Sequence, residues 1–214
     1  MERLTYAAII KAGMKNQVRI RLGQCWNRIT EILDEAGITN FSIWNADDLL
    51  FIYGEVEERN KIPEKCLQKA FNISGEFEEL VWLCGPGQKM KLMYHDYGII
   101  RENKELIRHR VFITKLKQGC FEEYKKRHDE LIKKRGADIN PGPESNYTIW
   151  SDGKYIFGYE EIDTTMETEM TEEERIYSIE WEKSMLNIME WITDDIDWIT
   201  GDKKSKSICI AKHN

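Results

Sequence analysis

The chain has 214 residues, of which 41% are hydrophobic, and its formal net charge is −7. This length fits one large or two small domains, and the interspersed acidic and basic residues leave no basic stripe for nucleic acid. No apolar run is long enough to span a membrane and the start of the chain lacks a signal-peptide pattern, so we expect a cytoplasmic protein without membrane or nucleic-acid partners.

The first half of the chain begins with a strand, a helix and a hairpin. Apolar residues at 4–12 predict the strand, and apolar residues at helical spacing then predict a helix that ends before Gly37. Residues 40–44 and 49–56 have the composition of two paired strands joined by a short turn.

The rest of the first half predicts one more helix and one more strand. Pro63 suits the first turn of a helix, which we expect to continue to about Cys84. The Gly-Pro-Gly segment at 85–87 ends this helix, and alternating apolar residues at 90–94 predict the strand that completes the unit.

The second half repeats this order of elements. Residues 110–117 predict a strand, residues 119–135 an amphipathic helix, and residues 146–150 with 155–162 a second hairpin. Between the helix and the hairpin, the segment Asn-Pro-Gly-Pro at 140–143 breaks the chain.

A capping box opens the last predicted helix. Thr171 is followed three residues later by Glu174, the pattern in which each side chain binds the backbone N–H of the other residue. We expect this helix to carry one apolar face, and the strand at 208–212 to close the second sheet. The residues predicted for the apolar face are Trp181, Met185, Ile188, Met189 and Ile192.

The two halves match residue by residue, with a constant offset of 106 positions and no gap through the hairpin. This register predicts a tandem duplication of one βαββαβ unit, with domains at residues 1–98 and 107–214. The matching pairs in the hairpin are Asn40 and Asn146, Ile43 and Ile149, Trp44 and Trp150, Phe51 and Phe157, Tyr53 and Tyr159, and Glu55 and Glu161.

A βαββαβ unit forms a ferredoxin-like antiparallel sheet with both helices on one face, so the predicted fold class is α+β. The uncovered face of each sheet needs a partner, and the sister repeat is the nearest candidate. We therefore expect an intramolecular pseudo-dimer, in which the repeats pack as a pseudo-dimeric α/β barrel, with further oligomerisation left open.

One polar pair interrupts an otherwise apolar helix face. Tyr124 and His128 are four residues apart in the predicted helix, on the face that should pack against the sheet. A histidine in such a place is commonly a core residue satisfied by a backbone carbonyl. It can also serve as an acid or a base, because imidazole titrates near neutral pH.

Three segments of the second half resemble the L-rhamnose mutarotase family: FEEYKKRH at 121–128, NYTIW at 146–150 and IFGYEEI at 156–162. The resemblance covers both repeats nearly end to end. It implies the ferredoxin-like dimer fold of that family, a small-molecule sugar as partner, and no cofactor or metal. It also gives His128 the role of proton donor, and Tyr124 and Tyr147 that of binding the sugar.

In the same family, two tryptophans on the last helix line the sugar-binding site. Ser184 and Met185 stand at those positions here and Trp181 lies one turn earlier, so Trp181 and Met185 are predicted to bind substrate. The first half is expected to lack a site, because apolar residues replace all three polar ones. The residues equivalent to Tyr124, His128 and Tyr147 are Val18, Leu22 and Phe41.

The leading hypothesis is a mutarotase, an isomerase that interconverts the anomers of L-rhamnose or a related aldose. Opening and reclosing a cyclic hemiacetal needs only proton transfers, which a histidine can supply. The alternative is a non-catalytic sugar-binding or assembly protein on the same fold. A third hypothesis, a small monooxygenase on the same barrel, finds no cofactor signal in the sequence, and a fold alone does not decide between activities.

Overall fold

The computed structural model of the chain describes residues 1–57, 69–71, 77–85, 90–192 and 207–213. These residues contain two five-stranded antiparallel sheets and the helices α1 (Lys15–Glu35), α2 (Phe121–Arg135) and α3 (Glu172–Met185). The strands in chain order are β1 (Glu2–Ile10), β2 (Ile38–Ala46), β3 (Leu49–Val56), β4 (Leu80–Cys84), β5 (Lys91–Gly98), β6 (Ile107–Leu116), β7 (Glu144–Ser151), β8 (Tyr155–Asp163), β9 (Met189–Trp191) and β10 (Ile208–His213).

The chain divides into two compact units. The first unit is Met1–Met90 with Ser207–Asn214, and the second unit is Lys91–Lys206. The strand order is β10-β2-β3-β1-β4 in the first sheet and β5-β7-β8-β6-β9 in the second. In each sheet the last four strands of that order have the arrangement of a ferredoxin-like unit, and one further strand lies at the edge.

The two edge strands are exchanged relative to the sequence prediction. Residues 90–94 were expected to complete the first sheet, but β5 pairs with β7 in the second. Residues 208–212 were expected to close the second sheet, but β10 pairs with β2 in the first. The compact units therefore differ from the predicted domains at both junctions, because strand pairing between distant segments leaves no local trace in the sequence.

The end of the helix predicted at 63–84 is also corrected. Most of that segment lies outside the described residues, but Leu80–Cys84 is strand β4 and pairs with β1. A short apolar run such as Leu80–Cys84 is compatible with either a buried strand or a helix. Here the run forms a strand, because it pairs with β1. In the same way α3 ends at Met185, and Met189 lies in strand β9 and not on the helix face.

The remaining predicted elements are present. Helix α2 and both hairpins lie where the pattern placed them, and the capping box of Thr171 and Glu174 forms with both reciprocal hydrogen bonds. Glu122 and Glu123 occupy the first turn of α2, and basic residues occupy its last turn. This charge distribution opposes the helix dipole and stabilises both ends of α2.

Backbone features recur at equivalent positions of the two units. Asn40 and Asn146 have positive φ values of 48° and 51°, and the β2–β3 and β7–β8 registers shift beside them. Asparagine tolerates this left-handed conformation better than most residues. Two further equivalent pairs have positive φ, namely Gly13 (77°) with Gly119 (80°) and Asp47 (49°) with Gly153 (104°).

Each sheet carries its own apolar core on the helix side. In the first unit, α1 buries an aliphatic face that includes Val18, Leu22 and Ile29. In the second unit, the core joins Tyr124 of α2 and Met185 of α3 to strand residues such as Ile149 and Ile156. No described helix is both long enough and apolar enough to cross a membrane.

Candidate functional site

The candidate site is built around the buried face of α2. Tyr124 and His128 are 2% and 3% exposed, whereas their neighbours on the opposite face of the helix are in water. Because they are four residues apart, their side chains lie one above the other. The phenol and imidazole rings stack, with their centroids 4.3 Å apart and their planes at 24°.

A backbone contact fixes the orientation of the His128 ring. Nδ1 lies 3.0 Å from the carbonyl oxygen of Tyr124. A carbonyl can only accept, so Nδ1 carries the hydrogen and Nε2 is the atom that holds the lone pair when the ring is neutral. Among the described residues, Nε2 makes no hydrogen bond, so its lone pair is unused by the protein there.

Burial keeps this imidazole neutral. It lowers the pKa of His128 from about 6.5 to about 4, because the charged form loses its hydration, and the bond to Tyr124 opposes this change only partly. At neutral pH the ring is therefore a base at Nε2 and not an acid. A backbone-bonded histidine is also the ordinary structural arrangement, so this geometry alone does not assign catalysis.

Aromatic rings surround His128. The ring of Trp181 stands edge-on to the imidazole, with centroids 5.6 Å apart and planes at 85°. Tyr94 contacts the imidazole at 5.4 Å and the ring of Tyr147 at the same distance. Met185 is buried in the same core. The structure thus brings together all five residues singled out from the sequence.

Two arginines hold α2 against its neighbours. Arg127 donates from Nη1 to the carbonyl oxygen of Ser184 on α3, at 2.9 Å. Arg135 donates to the carbonyl oxygen of His95 at 3.0 Å and pairs with Asp96 at 2.8 Å, both on β5. These contacts fix the spacing between His128, Trp181 and the strand that carries Tyr94.

Tyr94 is a site residue that sequence reasoning missed. The sequence pattern predicts Tyr94 as an ordinary residue of the strand that ends the first half, but β5 belongs to the second sheet. The available signal was weak, since nothing in an alternating strand indicates the edge on which it pairs. Its contacts to His128 and Tyr147 place it in the wall of the site.

Arg110 and Glu160 form a second missed feature. They lie directly opposite each other on β6 and β8, and Arg110 Nε is 2.6 Å from Glu160 Oε2. The guanidinium carbon of Arg110 is 5.8 Å from the ring centre of Tyr147. The sequence held a signal, because both are charged residues within predicted strands, but alternation alone did not show which face they take.

Burial also sets the protonation of the other groups. It raises the pKa of Tyr94, Tyr124 and Tyr147, so all three phenols remain protonated and can donate hydrogen bonds. Burial raises the pKa of Glu160 to about 7, although the positive charge of Arg110 acts in the opposite direction. The pKa of Glu182 is likewise raised by burial. The three phenols and the imidazole of His128 are therefore the neutral donors and acceptors of the site.

The equivalent place in the first unit is apolar. Val18, Leu22 and Phe41 are 1%, 5% and 1% exposed and belong to its core. The position of Tyr94 is taken by Ala211, because Tyr94 pairs with Ile149 and Ala211 pairs with the equivalent Ile43. The first unit thus presents no polar group at these four positions.

Residues 109–207 match the family model described as L-rhamnose mutarotase. The predicted resemblance of the second half is confirmed. The mutarotase match covers α2, β7, β8 and α3, but it begins after β5, so it does not include Tyr94. The comparisons with curated proteins and with solved structures gave no match. 

No metal site is seen in the described parts of the chain. Within them, no group of three or more His, Cys, Asp or Glu side chains is placed to hold a metal ion. The remaining histidines have other surroundings: His95 stacks on Tyr97, His109 contacts Tyr159, and His213 pairs with Asp34.

Proposed function

We propose that the second unit is a sugar mutarotase that interconverts the anomers of L-rhamnose or a related neutral aldose, with His128 as its acid–base group. One observation carries this proposal. His128 is buried among aromatic rings with Nδ1 bonded to a carbonyl, while Nε2 makes no hydrogen bond within the described residues. The family match over residues 109–207 supports the same assignment.

The chemistry follows from the protonation of His128. The neutral imidazole accepts the proton of the anomeric hydroxyl at Nε2 while the bond between the anomeric carbon and the ring oxygen breaks. The imidazolium then donates that proton to the ring oxygen, which gives the open aldehyde. Rotation about the bond to the carbonyl carbon and the reverse steps close the ring with the other configuration. No electrons or atoms are gained or lost.

One imidazole can perform both transfers because the two oxygens are bonded to the same carbon atom. This order differs from that implied by the resemblance, in which the histidine first acts as a donor. The reason is the lowered pKa of about 4, which leaves little imidazolium at neutral pH before substrate binds. The imidazolium is formed only after the sugar has given up its proton.

The aromatic residues bind the sugar in this proposal. The phenols of Tyr124 and Tyr147 donate to or accept from its hydroxyls, and Tyr94 joins them as a third phenol from β5. The ring of Trp181 offers an apolar surface to the carbon–hydrogen side of the sugar. Met185 stands where the resemblance places a second tryptophan, and its flexible thioether can adapt to more than one sugar.

We also propose that the two units arose by duplication and that their sheets pack as a pseudo-dimer in the cytoplasm. The constant offset in sequence and the recurring positive φ values of the hairpin support duplication. The recurring strand registers support it as well. The packing of the two units stays a prediction.

The experiment is anomer exchange measured by NMR saturation transfer on a panel of aldoses. The wild-type chain should accelerate exchange of at least one of them. His128→Asn should lower the rate about a hundred- to ten-thousandfold, the usual contribution of general acid–base catalysis. The matched control is His213→Asn, which removes a histidine paired with Asp34 in the first unit. An Asn variant at position 128 that retains the native rate would falsify the assignment.

A further inference from the structure

The ion pair of Arg110 and Glu160 plays no part in the proposed proton transfers, yet it lies in the wall of the site. The guanidinium carbon is 5.8 Å from the ring centre of Tyr147, and the two rings of Tyr147 and Tyr94 are in contact. Arg110 is thus within reach of any ligand bound against Tyr147. Its role has to be sought in ligand binding or in folding.

Folding does not account for the pair. The Glu160 side chain is 1% exposed, and taking a carboxylate out of water costs several kcal/mol that an ion pair offsets only in part. In the first sheet the equivalent positions are Leu4 and Gly54, which also lie opposite each other. That sheet adopts the same register without any charge at this place, so the fold does not require one.

Arg110 keeps hydrogen-bond donors for a ligand. Its side chain is 41% exposed, and neither Nη atom donates to a protein group within the described residues. The ion pair with Glu160 keeps the guanidinium beside β8, although neither Arg110 Nε nor Glu160 Oε2 has a hydrogen-bond partner within the described residues. The Nη donors beside the Glu160 carboxylate suit two neighbouring hydroxyl groups of a ligand. Each hydroxyl can accept a hydrogen bond from the guanidinium and donate one to the carboxylate.

The surrounding charges favour a neutral ligand. Glu160, Glu144 and Glu182 all stabilise the positive charge of Arg110. An anionic sugar would be repelled by these carboxylates at short range. A neutral aldose with adjacent hydroxyl groups carries the donors and acceptors that the pair needs and no opposing charge.

We propose that Arg110, positioned by its ion pair with Glu160, determines specificity by hydrogen-bonding two neighbouring hydroxyl groups of a neutral aldose bound against Tyr147. The inference rests on the proposed function, because both place the sugar in the same site. Arg110 binds the sugar away from the reacting carbon, so it contributes equally to the ground state and the transition state. Its loss should therefore raise KM and leave kcat nearly unchanged.

The test variant is Arg110→Met combined with Glu160→Gln, which removes both charges together and leaves no unpaired buried carboxylate. The control is Arg108→Met, since Arg108 lies two residues away on β6 and pairs with the exposed Glu167. For exchange of L-rhamnose, the double variant should raise KM about ten- to a hundredfold, the loss expected for hydrogen bonds to a charged group. The control should match wild type.

A second measurement separates sugar recognition from a structural role. L-Rhamnose analogues that each lack one ring hydroxyl are compared on wild type and on the double variant, by exchange and by saturation-transfer difference NMR. Removing either hydroxyl contacted by Arg110 should weaken binding about tenfold in wild type and not at all in the variant. Equal losses in both proteins for every hydroxyl would overturn the inference.

The outcomes separate the two proposals. If wild type exchanges anomers and the double variant behaves like Arg108→Met, the inference about Arg110 is overturned and the mutarotase proposal stands. If wild type binds aldoses without exchanging them, but the hydroxyl pattern depends on Arg110, the mutarotase proposal fails and the inference stands. If no aldose binds, both are overturned.

Discussion

Helices α1 and α2 hold equivalent positions on two similar sheets, but one buries an aliphatic face and the other buries a phenol and an imidazole. The contrast extends to the strands beneath them. The residues of the first unit and their counterparts in the second are Val18 and Tyr124, Leu22 and His128, Phe41 and Tyr147, Leu4 and Arg110, Gly54 and Glu160, and Ala211 and Tyr94.

This contrast shows that the backbone does not depend on the polar groups. The first unit fills the same space with apolar atoms, and a Cβ built on Gly54 would already lie 3.1 Å from the ring of Phe41. The second unit instead buries polar groups that cost free energy unless they find partners. Six such differences at one place support the proposed ligand site in the second unit, and they supply matched variants for testing it.

The largest effect is expected from converting the second unit into the first. Wild type should bind a suitable aldose with one site per chain in a calorimetric titration. The triple variant Tyr124→Val, His128→Leu and Tyr147→Phe should show no measurable binding, since losing several hydrogen bonds of about 1–3 kcal/mol each weakens binding more than a hundredfold. A stoichiometry of two, or binding that survives in the triple variant, would break the comparison.

A smaller effect is expected in the pH dependence of stability. In an unfolded chain a histidine binds a proton below about 6.5, but folded His128 binds one only below about 4. The unfolded state is therefore favoured as pH falls between these values, and about 3 kcal/mol of stability is lost. His128→Leu, which copies Leu22, should remove this loss. Urea denaturation at several pH values between 4 and 8 measures it.

The difference between the two proteins is the quantity to compare, because Glu160 acts in the opposite direction. The pKa of Glu160 is raised from about 4.5 to about 7, so the folded state binds more protons in that range and loses stability as pH rises. This contribution is common to wild type and His128→Leu and cancels between them. If the difference in unfolding free energy between wild type and His128→Leu does not change with pH, the burial of a neutral imidazole is contradicted.

The smallest effect concerns a single hydroxyl group exchanged between the units. Tyr147→Phe should weaken sugar binding about two- to tenfold, the value of one neutral hydrogen bond. The reverse change, Phe41→Tyr, should not create a site. It should lower the free energy of unfolding by about 1–3 kcal/mol, because the new hydroxyl is buried without a partner. Calorimetric titration and thermal melting of both variants measure sugar binding and stability. Weaker sugar binding in Phe41→Tyr would argue against a site confined to the second unit.

Part of the site was accessible from the sequence because it is local. Tyr124 and His128 share a helix face by spacing alone, and the hairpin that carries Tyr147 was visible from its composition. Trp181 and Met185 were assigned by resemblance; Trp181 contacts His128 and Met185 lies in the same core, and their role in binding substrate stays a prediction. Tyr94, Arg110 and Glu160 were not predicted from the sequence. Each reaches the candidate site only through pairing between strands that are distant in sequence, or through the face of the strand on which its side chain lies.

The sequence by itself determined helices α1 and α2, the hairpins, the capping box that begins α3 and the polar face of α2, since each depends on interactions among residues close in the chain. The tertiary structure decided where β5 and β10 pair. Strand β10 pairs with β2 in the same register in which β5 pairs with β7, so the register does not distinguish the two edges. Nonlocal packing selects between these edges, and that selection places Tyr94 beside His128.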